Sequence, residues 1–272
     1  MNTFEKAQQF RALHKTTGAF VIPNPWDAGS ARILAGLGFK ALATSSYASA
    51  LVLGRRDGEM TRDEVIAHAR CIAKAVDLPV SADLEDGMAD SPVGVAETIR
   101  LAAAAGLVGG SIEDATGEPA HPFYDLSEAT ERVAAAVEAA RALPFPFTLT
   151  ARSENFVRGN PNLDDTIRRL QAFDAAGADV LFAPGLPDLA AVKTVCAAVN
   201  KPVNFMNGLA GKSFPVEALV AAGVRRISLG GGLQRAALAG LLTAVREITE
   251  KGSFTFADSL PTGAQIYQLM GR

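Results

Sequence analysis

Two kinds of segment alternate along the chain. Short, mostly apolar runs are typical of parallel strands covered on both faces, and the segments between them are Ala-rich and helical in character. The strand candidates are residues 19–23, 41–44, 80–83, 110–113, 147–151, 180–183, 203–205 and 226–229. The helix candidates are residues 28–37, 61–76, 93–105, 126–142, 163–176, 189–199, 215–222 and 234–249. Eight strand–helix units predict a closed (β/α)8, or TIM-type, barrel; an open doubly wound sheet is the alternative.

The ends of the predicted helices carry residues that favour helix termini. Gly106, Gly177 and Gly223 each stand between a helix and the next strand, where glycine readily takes the positive φ of a C-cap. Thr61, followed three residues later by Glu64, predicts a capping box at the start of a helix. These signals support the alternation of strands and helices.

The two ends of the chain extend beyond the eight units. An amphipathic helix over about residues 3–15 precedes the first strand, and we expect it to cover the bottom of the barrel. The tail from about residue 252 is expected to be irregular and to pack on a neighbouring subunit. No linker interrupts the pattern, so residues 1–272 are predicted to form one domain.

Composition excludes several classes of protein. The net charge of −3 comes with scattered basic residues, so no basic stripe predicts nucleic-acid binding. No apolar run approaches the ~20 residues of a membrane span, and residues 1–6 lack the apolar core of a signal peptide. Cys71 and Cys196 lie in helical segments and are expected to be buried, without a disulfide. We expect a soluble, cytoplasmic protein.

Carboxylates follow two neighbouring strands, at the end of a barrel where active sites lie. Asp83 and Glu85 end the third strand, and Glu113 ends the fourth. Three such acids would repel one another without a cation, and oxygen ligands favour Mg²⁺, or Mn²⁺, over zinc. The alternative is a set of solvated or capping acids, in which Asp86 caps a helix and Asp114 pairs with an arginine.

An arginine and two serines are predicted at the same rim. Arg152 ends the fifth strand, and its guanidinium suits two-point binding of a carboxylate or phosphate. The alternative is a structural ion pair with Glu154 or Glu113. Ser45 and Ser46 follow the second strand and offer N–H and hydroxyl donors to an anion, unless they serve only the turn.

Further polar side chains complete the predicted site. Tyr47 follows the two serines, Asn204 and Asn207 belong to the seventh strand and its loop, and His121 lies in the loop after the fourth strand. We expect the first three to contact substrate and His121 to reach it. No lysine ends a strand, which argues against Schiff-base chemistry.

Several segments resemble, in order, the isocitrate lyase/phosphoenolpyruvate mutase superfamily. They are residues 23–32, 43–46, 53–57, 79–87, 111–114 and 150–152, and the similarity extends from about residue 4 to 250. The resemblance implies a (β/α)8 barrel whose last helix swaps between partners, so that a homo-oligomer, a dimer or commonly a tetramer, is expected.

The resemblance also implies a chemistry. Mg²⁺ would be reached, partly through water, by Asp83, Glu85 and Glu113, although the family usually has Asp where this chain has Glu85. A 2-oxo acid or its enolate would be held by backbone groups matching residues 45–47 and by Arg152.

The loop after the fourth strand departs from the lyases of this superfamily. Isocitrate and methylisocitrate lyases carry Lys-Lys-Cys-Gly-His there, whereas residues 115–123 contain neither Cys nor Lys. This argues against isocitrate-type cleavage, and the loop lysine of the mutase is absent too. We therefore predict a Mg²⁺-dependent lyase that cleaves a C–C bond of a small 2-oxo or 2-hydroxy carboxylate through an enolate.

Two side chains are candidates for proton transfer, and two other functions remain. Asp57 matches an acid that lies near the reacting group in phosphonate-processing members, and either Asp57 or His121 would handle protons. The alternatives are a phosphonate mutase or hydrolase and a non-catalytic 2-oxo acid binder.

Overall fold

The computed structural model describes residues 1–271 and contains a single parallel sheet of eight strands. The strands are β1 (Phe20–Ile22), β2 (Leu42–Ala43), β3 (Val80–Asp83), β4 (Gly109–Glu113), β5 (Thr148–Arg152), β6 (Val180–Phe182), β7 (Val203–Met206) and β8 (Arg226–Ser228). Each coincides with a predicted strand to within two residues at either end. The hydrophobic pattern therefore located every strand.

Helices separate the strands and flank the sheet. They are α1 (Thr3–Leu13), α2 (Ala28–Gly36), α3 (Ser46–Val52), α4 (Arg62–Ala75), α5 (Pro92–Ala104), α6 (Leu126–Arg141), α7 (Leu163–Ala175), α8 (Leu189–Ala198), α9 (Val216–Ala221), α10 (Gly232–Lys251) and α11 (Gly263–Leu269), with a 3₁₀ helix at Thr255–Ser259. The capping box predicted at Thr61 and Glu64 is present at the start of α4.

The order of the strands makes a nearly closed barrel. β1 pairs with β8, and the sheet continues through β7, β6, β5, β4 and β3 to β2, always in parallel. At the remaining seam, the Ala43 amide donates to the Pro23 carbonyl at 3.1 Å, and the Asn24 side chain donates to the Thr44 carbonyl at 3.0 Å. The predicted (β/α)8 barrel is confirmed, and the open sheet is excluded.

The apolar core lies between the sheet and the surrounding helices. Ile112, Leu149, Leu181, Phe205 and Ile227 occupy alternate strand positions, are almost fully buried and pack in one cluster with apolar helix residues. Because side chains on a strand alternate between its two faces, the neighbours of these residues face the interior of the barrel. That interior contains the candidate site.

Helix α1 covers the bottom of the barrel, as its position in the sequence predicted. Its buried residues Ala7 and Phe10 pack in a small cluster with Ala41 and Val108, which directly precede β2 and β4. A Cβ at Gly109 would lie 2.8 Å from the Phe10 ring, so the start of β4 approaches α1 too closely for a side chain. The site must therefore open at the opposite end.

Two segments differ from the prediction. Residues after β2 form helix α3, since Ser45 caps it by accepting a hydrogen bond from the Ala48 amide. The prediction of an irregular tail was wrong, because a capping box starts α11 at Thr262 and this helix packs on α2 of the same chain. Contact is so close that a Cβ at Gly36 would lie 1.8 Å from the Leu269 carbonyl oxygen.

The two cysteines are more exposed than predicted. Cys71 is exposed and Cys196 is half-buried, so the prediction of two buried thiols was wrong. Cys71 lies on the outward face of the amphipathic helix α4, which a single residue's position cannot reveal without the helix register.

Within residues 1–271, no helix combines the length and the apolar character needed to cross a membrane.

Candidate active site

A cavity of about 280 Å³ opens at the carboxyl ends of the strands. Seven of the predicted residues line it: Ser45, Ser46, Tyr47, Asp57, Asp83, Arg152 and Asn204. Asp57 belongs to the loop after α3. A second, more polar cavity shares Ser46, Asp57 and Arg152 with the first and is lined by Glu85 and Glu113. The two cavities together form the mouth of the barrel.

Arg152 is the centre of the charge network at this mouth. Its Nη1 lies 3.2 Å from Glu113 Oε2 and 3.6 Å from Asp83 Oδ1, and its Nε donates to Glu154. Burial opposes the charge of this guanidinium, but the charges of Glu154, Glu113 and Asp83 outweigh burial and raise the pKa of Arg152. The structural ion pair considered from the sequence is therefore present, and it involves three acids.

Glu113 is shared between two arginines. Besides Arg152, its other oxygen lies 3.3 Å from Arg158 Nη2. Burial raises the pKa of the Glu113 carboxyl well above its ordinary value, although the nearby Arg152 charge lowers it. Arg158 follows the β5 strand end in a loop and also lies 3.5 Å from Glu154, its i−4 neighbour. The sequence analysis missed Arg158, for which that spacing was the available signal.

Asp83 is fixed by three hydrogen bonds. Its carboxylate accepts from the Ser46 amide at 3.1 Å and from the Ser111 hydroxyl at 3.3 Å, and its own amide donates to the Thr44 hydroxyl at 3.0 Å. The Ser46 amide therefore serves Asp83, while the Ser45 hydroxyl caps α3. Of the donors predicted for an anion here, the Ser46 amide is engaged within the protein, whereas the Ser45 hydroxyl acts as an acceptor in its hydrogen bond with Ala48.

Glu85 and Asp57 form the most acidic part of the mouth. Glu85 has a left-handed backbone conformation, with φ near +50°, which a non-glycine residue rarely adopts. Burial, together with the charges of Asp83 and Asp57, raises the pKa of Glu85 to about 7. Burial also raises the pKa of Asp57, against the effect of a hydrogen bond from Ser46. A cation at this position would relieve the repulsion between these carboxylates.

The donor chemistry fits a hydrated divalent cation. Within residues 1–271, no three Asp, Glu, His or Cys side chains lie close enough together to hold a metal by themselves. Around Arg152 and Arg158, the carboxylates nevertheless outnumber these two guanidinium groups; they belong to Asp57, Asp83, Glu85, Glu113 and Glu154. Mg²⁺ keeps several waters and needs only one or two protein carboxylates, so this donor set suits it.

Two of the predicted residues lie away from the cavity. The Asn207 side chain donates from Nδ2 to the Phe214 carbonyl at 2.9 Å and accepts at Oδ1 from the Phe214 backbone amide at 3.0 Å. It therefore bridges the two ends of the loop after β7. His121 is exposed, and its backbone is bonded to Glu118 and Thr116. Position after a strand placed both residues near the rim but gave no information on where their side chains point.

The acids that follow the metal candidates have structural partners. Asp86 accepts a hydrogen bond from the Tyr124 hydroxyl at 2.7 Å and lies 3.2 Å from Arg132 Nη2. Asp114 lies 3.2 Å from Arg169 Nη1, as the alternative interpretation proposed, and burial raises its pKa to about 6. Neither acid lines the first cavity.

One residue of the cavity was missed because it begins a strand. Arg226 is the first residue of β8 and lies opposite Asn204 in the register of β7 and β8. Its Nε donates to the Asn204 Oδ1 at 2.9 Å, and the Asn204 Nδ2 donates to the Ser228 hydroxyl at 3.0 Å. The signal in the sequence was the alternation of Arg226 and Ser228 around the apolar Ile227.

Comparison with known proteins agrees with this arrangement. The family described as phosphoenolpyruvate phosphomutase matches residues 10–249. The chain belongs to this family. A solved structure from Burkholderia cenocepacia J2315, provisionally described as a lyase/mutase, is 52% identical, with a TM-score of 0.97 over 99% of this chain and 97% of that one. The structure of an oxaloacetate acetylhydrolase in complex with oxalate is 25% identical, with a TM-score of 0.88 over 100% and 96% of the two chains.

Curated members of the superfamily narrow the class of activity. The oxaloacetate decarboxylase of Bradyrhizobium diazoefficiens is 32% identical over 73% of this chain and 69% of its own length. The 2-methylisocitrate lyase of Escherichia coli is 30% identical over 75% of this chain and 70% of its own length. The resemblance stated from the sequence is confirmed, and the chain is an enzyme of a superfamily of lyases and mutases.

Proposed function

We propose that this enzyme cleaves a C–C bond of a small 2-oxo or 2-hydroxy carboxylate through an enolate, with Mg²⁺ or Mn²⁺ bound at the mouth of the barrel. The observation that carries the proposal is Arg152, held at the cavity among Asp83, Glu113 and Glu154. The names of the curated relatives, oxaloacetate decarboxylase and 2-methylisocitrate lyase, support C–C cleavage.

The acids at the mouth would hold the metal. Asp83 faces the first cavity, and Glu85 and Glu113 line the second, so each would contact the ion directly or through water. When bound, a divalent cation supplies stabilisation of the negative charge that develops on the 2-oxo oxygen. The raised pKa of Glu85 and Glu113 reflects burial that an adjacent cation would offset.

Arg152 would bind and orient the substrate carboxylate. Its guanidinium is shared by three carboxylates and is never neutral, so an incoming carboxylate exchanges with one of them rather than meeting an uncharged group. Tyr47 and Asn204 would contact the rest of the substrate, because both line the first cavity. Such positioning by charged and polar groups lowers the entropy cost of reaction.

Asp57 is our candidate for the proton transfer. It lies at the mouth of both cavities, and burial raises its pKa, which favours a carboxyl that carries and returns a proton. His121 is exposed in its loop and lines neither cavity, so we assign it no role. We expect Asp57→Asn to lower kcat more than it changes KM.

Oxalate, which mimics an enolate of pyruvate, provides the direct test. We expect calorimetry to show oxalate binding that requires Mg²⁺ or Mn²⁺, is lost in Asp83→Ala and persists in Glu131→Gln, an exposed control on α6. Wild-type protein that binds oxalate equally well in a chelator would refute the metal-dependent mechanism. Turnover of oxaloacetate or a substituted malate, with release of pyruvate, would establish C–C cleavage.

Phosphonate chemistry is the second candidate. It is favoured by the phosphoenolpyruvate phosphomutase description of the family and by a solved Streptomyces platensis enzyme of that name, 26% identical with a TM-score of 0.85. Conversion of phosphonopyruvate, seen as phosphate release or as a shifted ³¹P resonance, would select it. Turnover of any of these compounds would exclude a non-catalytic 2-oxo acid binder.

Helix α10 has an exposed apolar face that suits the expected homo-oligomer. Its exposed apolar residues recur at helical spacing: Leu238, Leu241, Leu242, Val245 and Ile248. A stripe of this kind normally lies against another surface. We propose that α10 packs on the partner subunit in a homo-oligomer, by exchange of this last barrel helix. Light scattering should show a dimer or tetramer, and Leu241→Glu should shift it toward the monomer.

A further inference from the structure

The interior of this barrel carries polar side chains among apolar ones such as Ile22, Phe182 and Met206. In barrels of this type, branched apolar side chains normally fill the interior. Here the first cavity is lined by one polar residue from each of β3, β4, β7 and β8: Ser81, Ser111, Asn204 and Ser228. The first cavity therefore includes polar groups from four strands as well as Arg226, the first residue of β8, and we call this part of the cavity the well.

Arg226 is a buried cation without an acidic partner. The residue is only 6% exposed, and its one side-chain hydrogen bond to a residue in the range 1–271 runs from Nε to Asn204. Burial alone lowers its pKa to about 9, with no carboxylate acting against it, so it remains charged at neutral pH. Beneath it, burial and the Arg226 charge lower the pKa of His14 to about 3, so that neighbour is neutral.

The terminal nitrogens of Arg226 have no hydrogen-bond partner among the described residues. Neither Nη atom is among the fully buried side-chain atoms that lack a partner. They therefore retain some accessible surface, and Arg226 is one of the residues that line the first cavity. Arg152 differs, because three carboxylates already surround it. A buried charge without a partner is costly, and a bound carboxylate would supply one with two-point geometry.

We propose that Arg226 binds a second carboxylate of the substrate, so that the enzyme is specific for dicarboxylic 2-oxo or 2-hydroxy acids. This inference rests on the proposed function: the first carboxylate and the adjacent oxygen lie at Arg152 and the acidic mouth, and the far carboxylate extends into the well. Arg226 is then a specificity-determining residue.

Malate and lactate test the assignment, since both are 2-hydroxy acids and only malate has a second carboxylate. Calorimetry with Mg²⁺ and each enantiomer should show wild-type protein binding one form of malate at least ten-fold more tightly than lactate. In Arg226→Gln the ratio of the Kd for lactate to the Kd for malate should fall below three. The Kd for oxalate, which is too short to span the well, should stay within two-fold of wild type. That unchanged oxalate affinity also shows that the variant is folded.

Other outcomes overturn the inference. A wild-type ratio near one, or a ratio that persists in a folded Arg226→Gln protein, would make Arg226 a purely structural residue of the barrel floor. Should Arg226→Gln fail to fold, Arg226→Lys keeps the charge but loses the planar two-point geometry, and its ratio should drop at least three-fold; an unchanged ratio refutes the assignment. Failure of wild-type protein to bind oxalate would instead refute the proposed function.

Discussion

Acidification is expected to destabilise the floor of the barrel through one histidine. His14 caps the C-terminus of α1 and is buried between Phe10 and Phe20, with its ring 4.9 Å from each of theirs. Its Nδ1 lies 2.9 Å from the Phe10 carbonyl oxygen, which can only accept, so Nδ1 carries the proton. Nε2 is buried without a partner. A second proton there would be placed in an apolar cluster near Arg226.

The size of the effect follows from the pKa. Burial, and then the Arg226 charge, lower the pKa of His14 from 6.5 to about 3. As the pH falls, the unfolded chain binds the proton near pH 6.5, whereas the folded protein resists it until about pH 3. The free energy of unfolding therefore decreases throughout this window. At ~1.4 kcal/mol per pH unit, wild-type protein should lose about 3 kcal/mol between pH 7 and pH 4 from this residue.

Two measurements determine this contribution. Denaturant unfolding at pH 7, 5.5 and 4 and constant ionic strength should show a steeper loss for wild type than for His14→Gln, which cannot titrate. Because every other group is shared, the difference between the two slopes isolates His14. In addition, the ring resonances of the three histidines can be followed by NMR, and the His14 signal should stay constant down to about pH 4.

The reasoning would be refuted by either of two results. One is a His14 resonance that titrates above pH 5 in folded protein, which would mean that water or local opening solvates Nε2. The other is a parallel pH dependence for wild type and His14→Gln. In either case the floor of the barrel would be less tightly packed than its geometry indicates.

Three other substitutions test separate parts of the structure. Phe10→Ala removes a fully buried ring from the floor and should lower the free energy of unfolding by about 3–5 kcal/mol, measured by denaturant titration. Because the pKa of Glu85 is raised in the folded protein, the unfolded state ionises first, and without metal the free energy of unfolding should fall by about 2 kcal/mol as the pH rises from 4.5 to 7. Glu85→Gln should abolish this fall. Gly36→Ala places a Cβ against the Leu269 carbonyl, so α11 should detach and the tail should be cleaved faster in limited proteolysis.

Each of these variants has a matched control. Phe4→Ala changes the same helix at a residue that is 47% exposed and should cost less than about 1 kcal/mol; equal losses at both positions would contradict the proposed floor. Glu131→Gln, on the exposed face of α6, should leave the pH dependence as in wild type. Gly29→Ala lies in α2 like Gly36, but its Cβ meets only ordinary contact at 3.4 Å, so wild-type proteolysis is expected. Cleavage as fast as in Gly36→Ala would show that the α2–α11 contact is not the cause.

The sequence predicted the barrel because its signals were local. Apolar runs and glycines such as Gly106 and Gly177 mark strands and helix ends directly, whatever the rest of the chain does. Helix α3 was not predicted, because Ser45 and Ser46 are as common in turns as at helix starts. Likewise, α11 is a short helix that depends on packing against α2, which a local pattern does not reveal.

The sequence predicted part of the candidate site, and it offered the pairing of Arg152 with Glu113 or Glu154 only as an alternative. Position at strand ends was sufficient to select Asp83, Glu113 and Arg152, which the structure brings together. The sharing of the Arg152 guanidinium among three carboxylates depends on where the side chains point, which strand positions do not reveal. Glu85 lines the second cavity and has a left-handed backbone conformation, which no glycine marks in the sequence. Arg226 was not predicted because it begins its strand, whereas the active-site residues of a barrel are expected at the carboxyl ends of strands.

Alternation along the strands also separates the scaffold from the chemistry. On β8, Ile227 faces the helices while Arg226 and Ser228 face the well, and β7 places Phe205 and Asn204 in the same way. A substitution inside the well therefore removes no apolar area from the contact between sheet and helices. New preferences among carboxylic acids should be reachable by single replacements with little loss of folding stability. The barrel is accordingly a good starting point for laboratory evolution of substrate choice.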